Sequence, residues 1–227
     1  MSQPELLPCV VRETGPSPAA AIVWLHGLGA DGHDFEPIVP ELVDPAWPAL
    51  RFVFPHAPVR PVTINMGMPM RAWYDIKAMS LDQRADDAGL TASVAQVEAL
   101  LADQVRRGIA PGRLFLAGFS QGGVVALQAG LRHGAPLAGI IGLSCYLPMA
   151  QALADARAPA NSATPVLLMH GEQDPVVPLA LGEHARATLA GWGQPVQWHT
   201  YRMQHSVCME QILDLRRWLG ARLAAIA

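Results

Sequence analysis

The chain has 227 residues, 51% of them hydrophobic, enough for one sizeable core; no Ser/Gly-rich linker or charge block divides it, so one domain spanning 1–227 is expected. A net charge of -3 supplies neither a basic patch for nucleic acid nor a polybasic arm for a membrane surface, which leaves a small, roughly neutral molecule as the expected partner. The opening "MSQPELLPCV" has no positive n-region or apolar h-region, and no later run approaches the length of a membrane span, so no stable membrane insertion and a cytoplasmic location are expected.

In chain order, an edge strand is predicted at 9–12, followed by short buried strands at 21–25 ("AIVWL"), 51–54, 114–117, 139–143 and 166–169. These are continuous apolar runs, too short for helices and rich in β-branched or aromatic residues, which is the pattern of parallel strands covered on both faces. A further strand is predicted at 196–201. Between strands, Val94, Val97, Leu101 and Val105 recur at helical spacing, as do Cys208, Ile212, Leu215, Leu219 and Leu223. The alternation predicts an open, mostly parallel α/β sheet with helices on both faces and its ligand site outside the carboxyl ends of the strands. Cys9, Cys145 and Cys208 are odd in number and widely spaced, which fits free thiols better than disulfides or a metal knuckle.

The stretch "LFLAGFSQGG", 114–123, places Ser120 between Gly118 and Gly122. A strand ending near Ala117 and a helix starting near Gln121 leave a tight, strained turn that pushes the hydroxyl out of the sheet, and bulky neighbours would collide there. The following helix N-terminus would favour a developing oxyanion. Taken alone the pattern also fits an N-cap serine in a glycine-rich turn.

A serine needs a base, and the base an orienting acid, in the order Ser, Asp or Glu, His for this turn type. Asp174 in "HGEQDPVVP" follows the 166–169 strand, and His205 in "YRMQHSVCME" follows the 196–201 strand. Read singly, Asp174 before Pro175 is a turn former and His205 flanks a helix cap; order and placement favour the catalytic reading. His170 and His199 fall at a strand end and within a strand, His184 falls on a helix, and His26, His33, His56 and His133 precede Asp174. Glu172 is the rival acid. In "WLHGLGADGHDF", Gly27 and Gly29 let the backbone turn so that the N–H of Leu28 points inward beside that of Gln121, a second oxyanion donor; the alternative is a turn opening a helix through Phe35 and Ile38. His26 then orders the loop. No metal-ligand spacing and no phosphate cradle appears, so neither a metal nor another cofactor is expected.

The ordered motifs "LHGLGADGHDF", "FPHAP", "NMGMPMRAWYDI", "GFSQGG", "GLSCYLP", "HGEQDPVVP" and "MQHSVCME" resemble those of the phospholipase/carboxylesterase family of α/β-hydrolases, which includes acyl-protein thioesterases and small bacterial carboxylesterases. The resemblance implies an α/β-hydrolase fold, a Ser120, Asp174, His205 triad, and an oxyanion hole at Leu28 and Gln121; a homodimer would fit family precedent. About twenty residues between the 139–143 strand and Val166 are too few for a large cap domain, so a shallow, open site is expected. Met66, Met68, Met70 and Trp73 are candidates to line an acyl groove, with Tyr146 and Leu147 as the other wall; core packing is the alternative for Trp73 and Ile76. The expected activity is a serine carboxylesterase working through an acyl-enzyme. Acyl-protein thioesterase or lysophospholipase activity, with an acylated protein as a partner, is one alternative; a catalytically silent binding protein is another.

Overall fold

In the computed structural model, residues 6–77 and 86–226 are described, and a seven-stranded sheet runs through them in the order β1-β3-β2-β6-β7-β8-β9. Its strands are β1 (Cys9–Glu13), β2 (Ala20–Leu25), β3 (Leu50–Pro55), β6 (Leu114–Phe119), β7 (Gly139–Leu143), β8 (Val166–Gly171) and β9 (Val196–Tyr201). Only β1 runs antiparallel, pairing Cys9 with Pro55 and Glu13 with Arg51 at the edge; the remaining pairings are parallel. The predicted strands therefore lie in the sheet, two with unchanged bounds and the other five extended by one or two residues at one or both ends.

Continuous apolar runs are required because both faces are covered. Every residue of β2 is buried, with Ala21, Val23 and Leu25 on one face and Ala20, Ile22 and Trp24 on the other. The first face is covered by α2 (Asp87–Arg106), α3 (Gln121–Arg132), α4 (Ala150–Ala156) and α5 (Leu179–Gly191). The second is covered by α1 (Val39–Leu42) and α6 (Met209–Ala225). On α2 the apolar spacing holds for Val97 and Leu101, but Val105 points outward at 40% exposure. A last-turn position drifts off the buried stripe because four-residue steps do not match 3.6 residues per turn.

Two local features depart from the expected layout. The segment after β3 forms a hairpin of β4 (Val59–Val62) and β5 (Met68–Arg71), a separate two-stranded sheet. The turn after Gly32 yields only a 3-10 turn at Glu36–Ile38 and the single turn of α1, rather than a full helix through Phe35 and Ile38. The connection from β7 to β8 holds α4 and a 3-10 turn at Pro159–Asn161 and no cap domain.

Candidate active site

β6 ends at Phe119 and α3 begins at Gln121, which leaves Ser120 alone between them with φ 54° and ψ -118°. A positive φ of this kind costs a serine about 1–3 kcal/mol and persists only where its surroundings enforce it. They do so here through hydrogen bonds: Ser120 N–H donates to Leu143 O at 2.8 Å, and Ser120 O accepts from Val124 N–H at 3.2 Å. The flanking glycines are steric necessities. A Cβ on Gly118 would lie 2.3 Å from the carbonyl carbon of Gly122, and one on Gly122 would lie 2.4 Å from Leu25 O.

His205 follows β9 and reaches back across the sheet edge. Its Nε2 lies 2.9 Å from Ser120 Oγ and its Nδ1 lies 2.6 Å from Asp174 Oδ2. The other carboxylate oxygen of Asp174 accepts from the N–H groups of Val176 and Val177, each at 2.8 Å, and the side chain is fully enclosed. An ionised carboxylate only accepts, so Nδ1 carries the proton and Nε2 presents a lone pair to the serine hydroxyl. Such a chain can take up the hydroxyl proton while its carboxylate stabilises the imidazolium. Glu172 stands apart: it is exposed and accepts from the Thr200 hydroxyl at 3.0 Å.

The other histidines are engaged elsewhere or face solvent, except that His170 Nε2 also lies 3.7 Å from Asp174 Oδ2. His26 accepts from Ala57 N–H at its Nε2, 3.0 Å away, so its Nδ1–H donates to Gly27 O at 2.7 Å. Burial outweighs the Gly27 hydrogen bond and holds its pKa below the usual imidazole value. His170 Nε2–H donates to Val177 O at 2.8 Å, and burial likewise lowers its pKa. His33 contacts Glu36 and His133 contacts Glu98, His56 accepts from Gly32 N–H, and His184 and His199 are exposed.

A cavity of about 240 Å³ opens beside Ser120 and His205, and Leu28 and Gln121 both line it. Gln121 supplies the first backbone N–H of α3, a group with no partner inside the helix. Its side chain is a clamp: the oxygen accepts from Trp73 N–H at 2.8 Å and the amide donates to Tyr74 O at 2.6 Å. Trp73 in turn donates its indole N–H to His26 O at 2.9 Å. The loop bearing Leu28 and the segment bearing Tyr74 are thereby tied to the helix that follows Ser120.

Of the residues expected to line an acyl groove, the structure brings Tyr146 into the cavity wall, its hydroxyl 3.3 Å from that of Tyr74. Trp73 and Leu147 are buried in the core, Ile76 serves both core and cavity, and Met66 and Met68 are exposed on the hairpin. Met70 accepts from the Asn65 amide at 3.2 Å. Ile64, Tyr74, Val176, Val177, Phe119 and Asp34 complete walls that the sequence reading missed. Val176 and Val177 had a signal, adjoining Asp174 in "DPVVP"; the others are assembled from distant loops. The three cysteines are free, and burial pushes the Cys145 thiol up to about 12. Among the described residues, no group of three or more His, Cys, Asp or Glu is placed to hold a metal, and no helix is long and apolar enough to cross a membrane.

A mostly parallel sheet with helices on both faces, and a strained serine between strand and helix at its carboxyl edge, define an α/β-hydrolase. The family model for Phospholipase/Carboxylesterase matches residues 8–222. The chain is 37% identical over 217 residues to acyl-protein thioesterase 1 of Gibberella zeae, covering 90% of this chain and 91% of that protein. Among solved structures it superposes on acyl-protein thioesterase 2 of Zea mays with a TM-score of 0.81 and 31% identity, covering 94% of this chain and 99% of the other. SOBER1 of Arabidopsis thaliana gives 0.85 and 29%, covering 90% and 99%. The chain belongs to the phospholipase/carboxylesterase family of α/β-hydrolases.

Proposed function

We propose that the chain is a serine hydrolase of acyl thioesters and esters, with S-acylated proteins ahead of generic carboxylic esters as its substrate class. The observation that carries the hydrolase reading is His205 held between Asp174 Oδ2 at 2.6 Å and Ser120 Oγ at 2.9 Å. The preference for thioesters draws on the relatives from Gibberella zeae and Mycosarcoma maydis, both named acyl-protein thioesterase 1, and reverses the order of the two activities expected from sequence.

In this reading Ser120 Oγ attacks the acyl carbonyl as His205 Nε2 takes its proton, and the tetrahedral oxyanion is received by the backbone N–H groups of Leu28 and Gln121. Collapse breaks the bond to the leaving thiol or alcohol, to which His205 returns the proton. Water, deprotonated by His205, then attacks the acyl-Ser120 ester and releases the free acid. The apolar wall of Ile64, Tyr74, Ile76 and Tyr146 receives the acyl chain. The test is labelling by a fluorophosphonate probe, together with hydrolysis of an S-acylated peptide and its oxygen-ester analogue. Ser120→Ala should abolish labelling and lower kcat by about a thousandfold or more while the far-ultraviolet spectrum is retained. Full labelling of that variant would move the nucleophile elsewhere, and faster turnover of the oxygen ester would restore the carboxylesterase order.

A further inference from the structure

The cavity beside Ser120 is apolar over most of its wall, and none of its described lining residues is Lys or Arg. One carboxylate stands in it: Asp34, exposed at the rim. Burial first, and the Asp31 carboxylate second, raise the pKa of Asp34 above the usual carboxylate value. Asp31 is held three residues away by the turn in which Asp34 N–H donates to Asp31 O at 3.1 Å.

Phe35 packs on Phe119 with centroids 5.6 Å apart, and Phe119 packs on the His205 ring at 4.7 Å. Phe35 thus joins a chain of rings that reaches His205, and Asp34 and His205 line the same cavity. Tyr74 and Tyr146 line the same cavity with their hydroxyls 3.3 Å apart, and Tyr74 O accepts from the Gln121 side chain. A general acid must sit beside the atom it protonates, so a leaving group departs next to His205, and one too bulky for the cavity stays at the exposed rim where Asp34 stands.

We propose that Asp34 is a specificity-determining residue that favours leaving groups carrying a positive charge over neutral and anionic ones of the same shape. The inference rests on the serine-hydrolase reading of Ser120 and His205 and adds a preference that reading does not contain. An ionised carboxylate at the mouth of a low-dielectric cleft whose lining holds no Lys or Arg raises the local concentration of a cation and steadies it in the bound state; it repels an anion by the same mechanism.

Three butyryl thioesters of matched size test it: the thiocholine ester (cationic), the 3,3-dimethylbutanethiol ester (its neutral isostere) and the 2-mercaptoethanesulfonate ester (anionic). Each kcat/KM is divided by that thioester's rate of alkaline hydrolysis, which removes differences in leaving-group reactivity. In the wild-type protein the corrected cationic-to-neutral ratio should be about three to ten at low ionic strength, and should fall towards one in about 0.5 M salt. Asp34→Asn should bring the ratio near one, and Asp34→Lys should invert it in favour of the sulfonate. Because the comparison is a ratio within each protein, a general change in activity cancels. A wild-type ratio at or below one, or a ratio that survives Asp34→Asn, overturns the proposal while leaving the serine-hydrolase reading intact. No turnover of any of the three by the wild type, or equal turnover by Ser120→Ala, overturns that reading and the preference with it.

Discussion

Asp174 and Glu172 lie two positions apart, and chain order allows either to orient His205, yet their surroundings separate them. Asp174 is enclosed and spends one oxygen on two backbone N–H groups and the other on His205. In Asp174→Asn the amide oxygen keeps the two N–H bonds, so the NH₂ faces His205 and turns it into the wrong tautomer, with Nε2–H pointing at Ser120. This change should lower kcat by up to about 10⁴-fold with the fold retained. Glu172→Gln, which removes a surface charge but keeps an oxygen to accept from Thr200, should cost less than about twofold in kcat on the same ester. Near-normal activity in the Asn variant together with a crippled Gln variant would reassign the acid. A different kind of test falls on Gln121, whose side chain bridges Trp73 N–H and Tyr74 O. Gln121→Ala keeps the backbone N–H but removes the acceptor of the buried Trp73 N–H and the amide that donates to Tyr74 O, and should cost about 1–3 kcal/mol in urea-melt stability. Unchanged stability would mean that water or another side chain replaces the clamp.

The turn from β6 into α3 tolerates nothing larger than glycine at 122. An alanine methyl there would lie 2.4 Å from Leu25 O and 2.5 Å from His26 O, both backbone atoms that cannot swing aside. Gly122→Ala should therefore force β2 and α3 apart, lowering stability by about 3 kcal/mol or more, or preventing soluble expression; a variant with normal yield and melting temperature would contradict the close approach. This packing also explains why the turn was legible in the sequence: a serine flanked two positions each way by glycine has few other uses between a strand and a helix. The buried strands were legible for a related reason, since a strand covered on both faces cannot carry polar residues at alternate positions, as the unbroken burial of β2, β7 and β8 shows. The β4–β5 hairpin was not, because its strands read "VRPV" and "MPMR", each with a proline and exposed apolar residues that obscure alternation. The cavity walls were hidden for a third reason. Ile64, Tyr74 and Asp34 owe their place to where distant loops meet, and no local pattern encodes that; Trp73 and Leu147 carry the composition expected of a groove but were taken by the core.

Over the whole molecule, two buried histidines bind the fold to a pH range. His26 and His170 each hold a loop while neutral, and burial sets their pKa values below the usual imidazole value of 6.5. As pH falls below that value the unfolded chain takes up protons that the folded chain refuses, so stability present at higher pH is lost until the folded pKa is reached. Each histidine should contribute a slope of up to about 1.4 kcal/mol per pH unit in that window. Urea midpoints measured between pH 7.5 and 5 should fall with acidification, and should fall less steeply in His170→Gln; an identical slope in that variant would remove His170 from the account. A last consequence concerns the time at which the site comes into being. Ser120 precedes His205 by 85 residues, and β9, which carries the chain to His205, is an edge strand that pairs with β8 alone. At typical translation speeds Ser120 is made about 4–17 s before His205. On the proposed reading, the newborn chain carries a hydroxyl whose general base is not yet made, and it becomes open to acylation by passing thioesters only once the far edge of the sheet has closed.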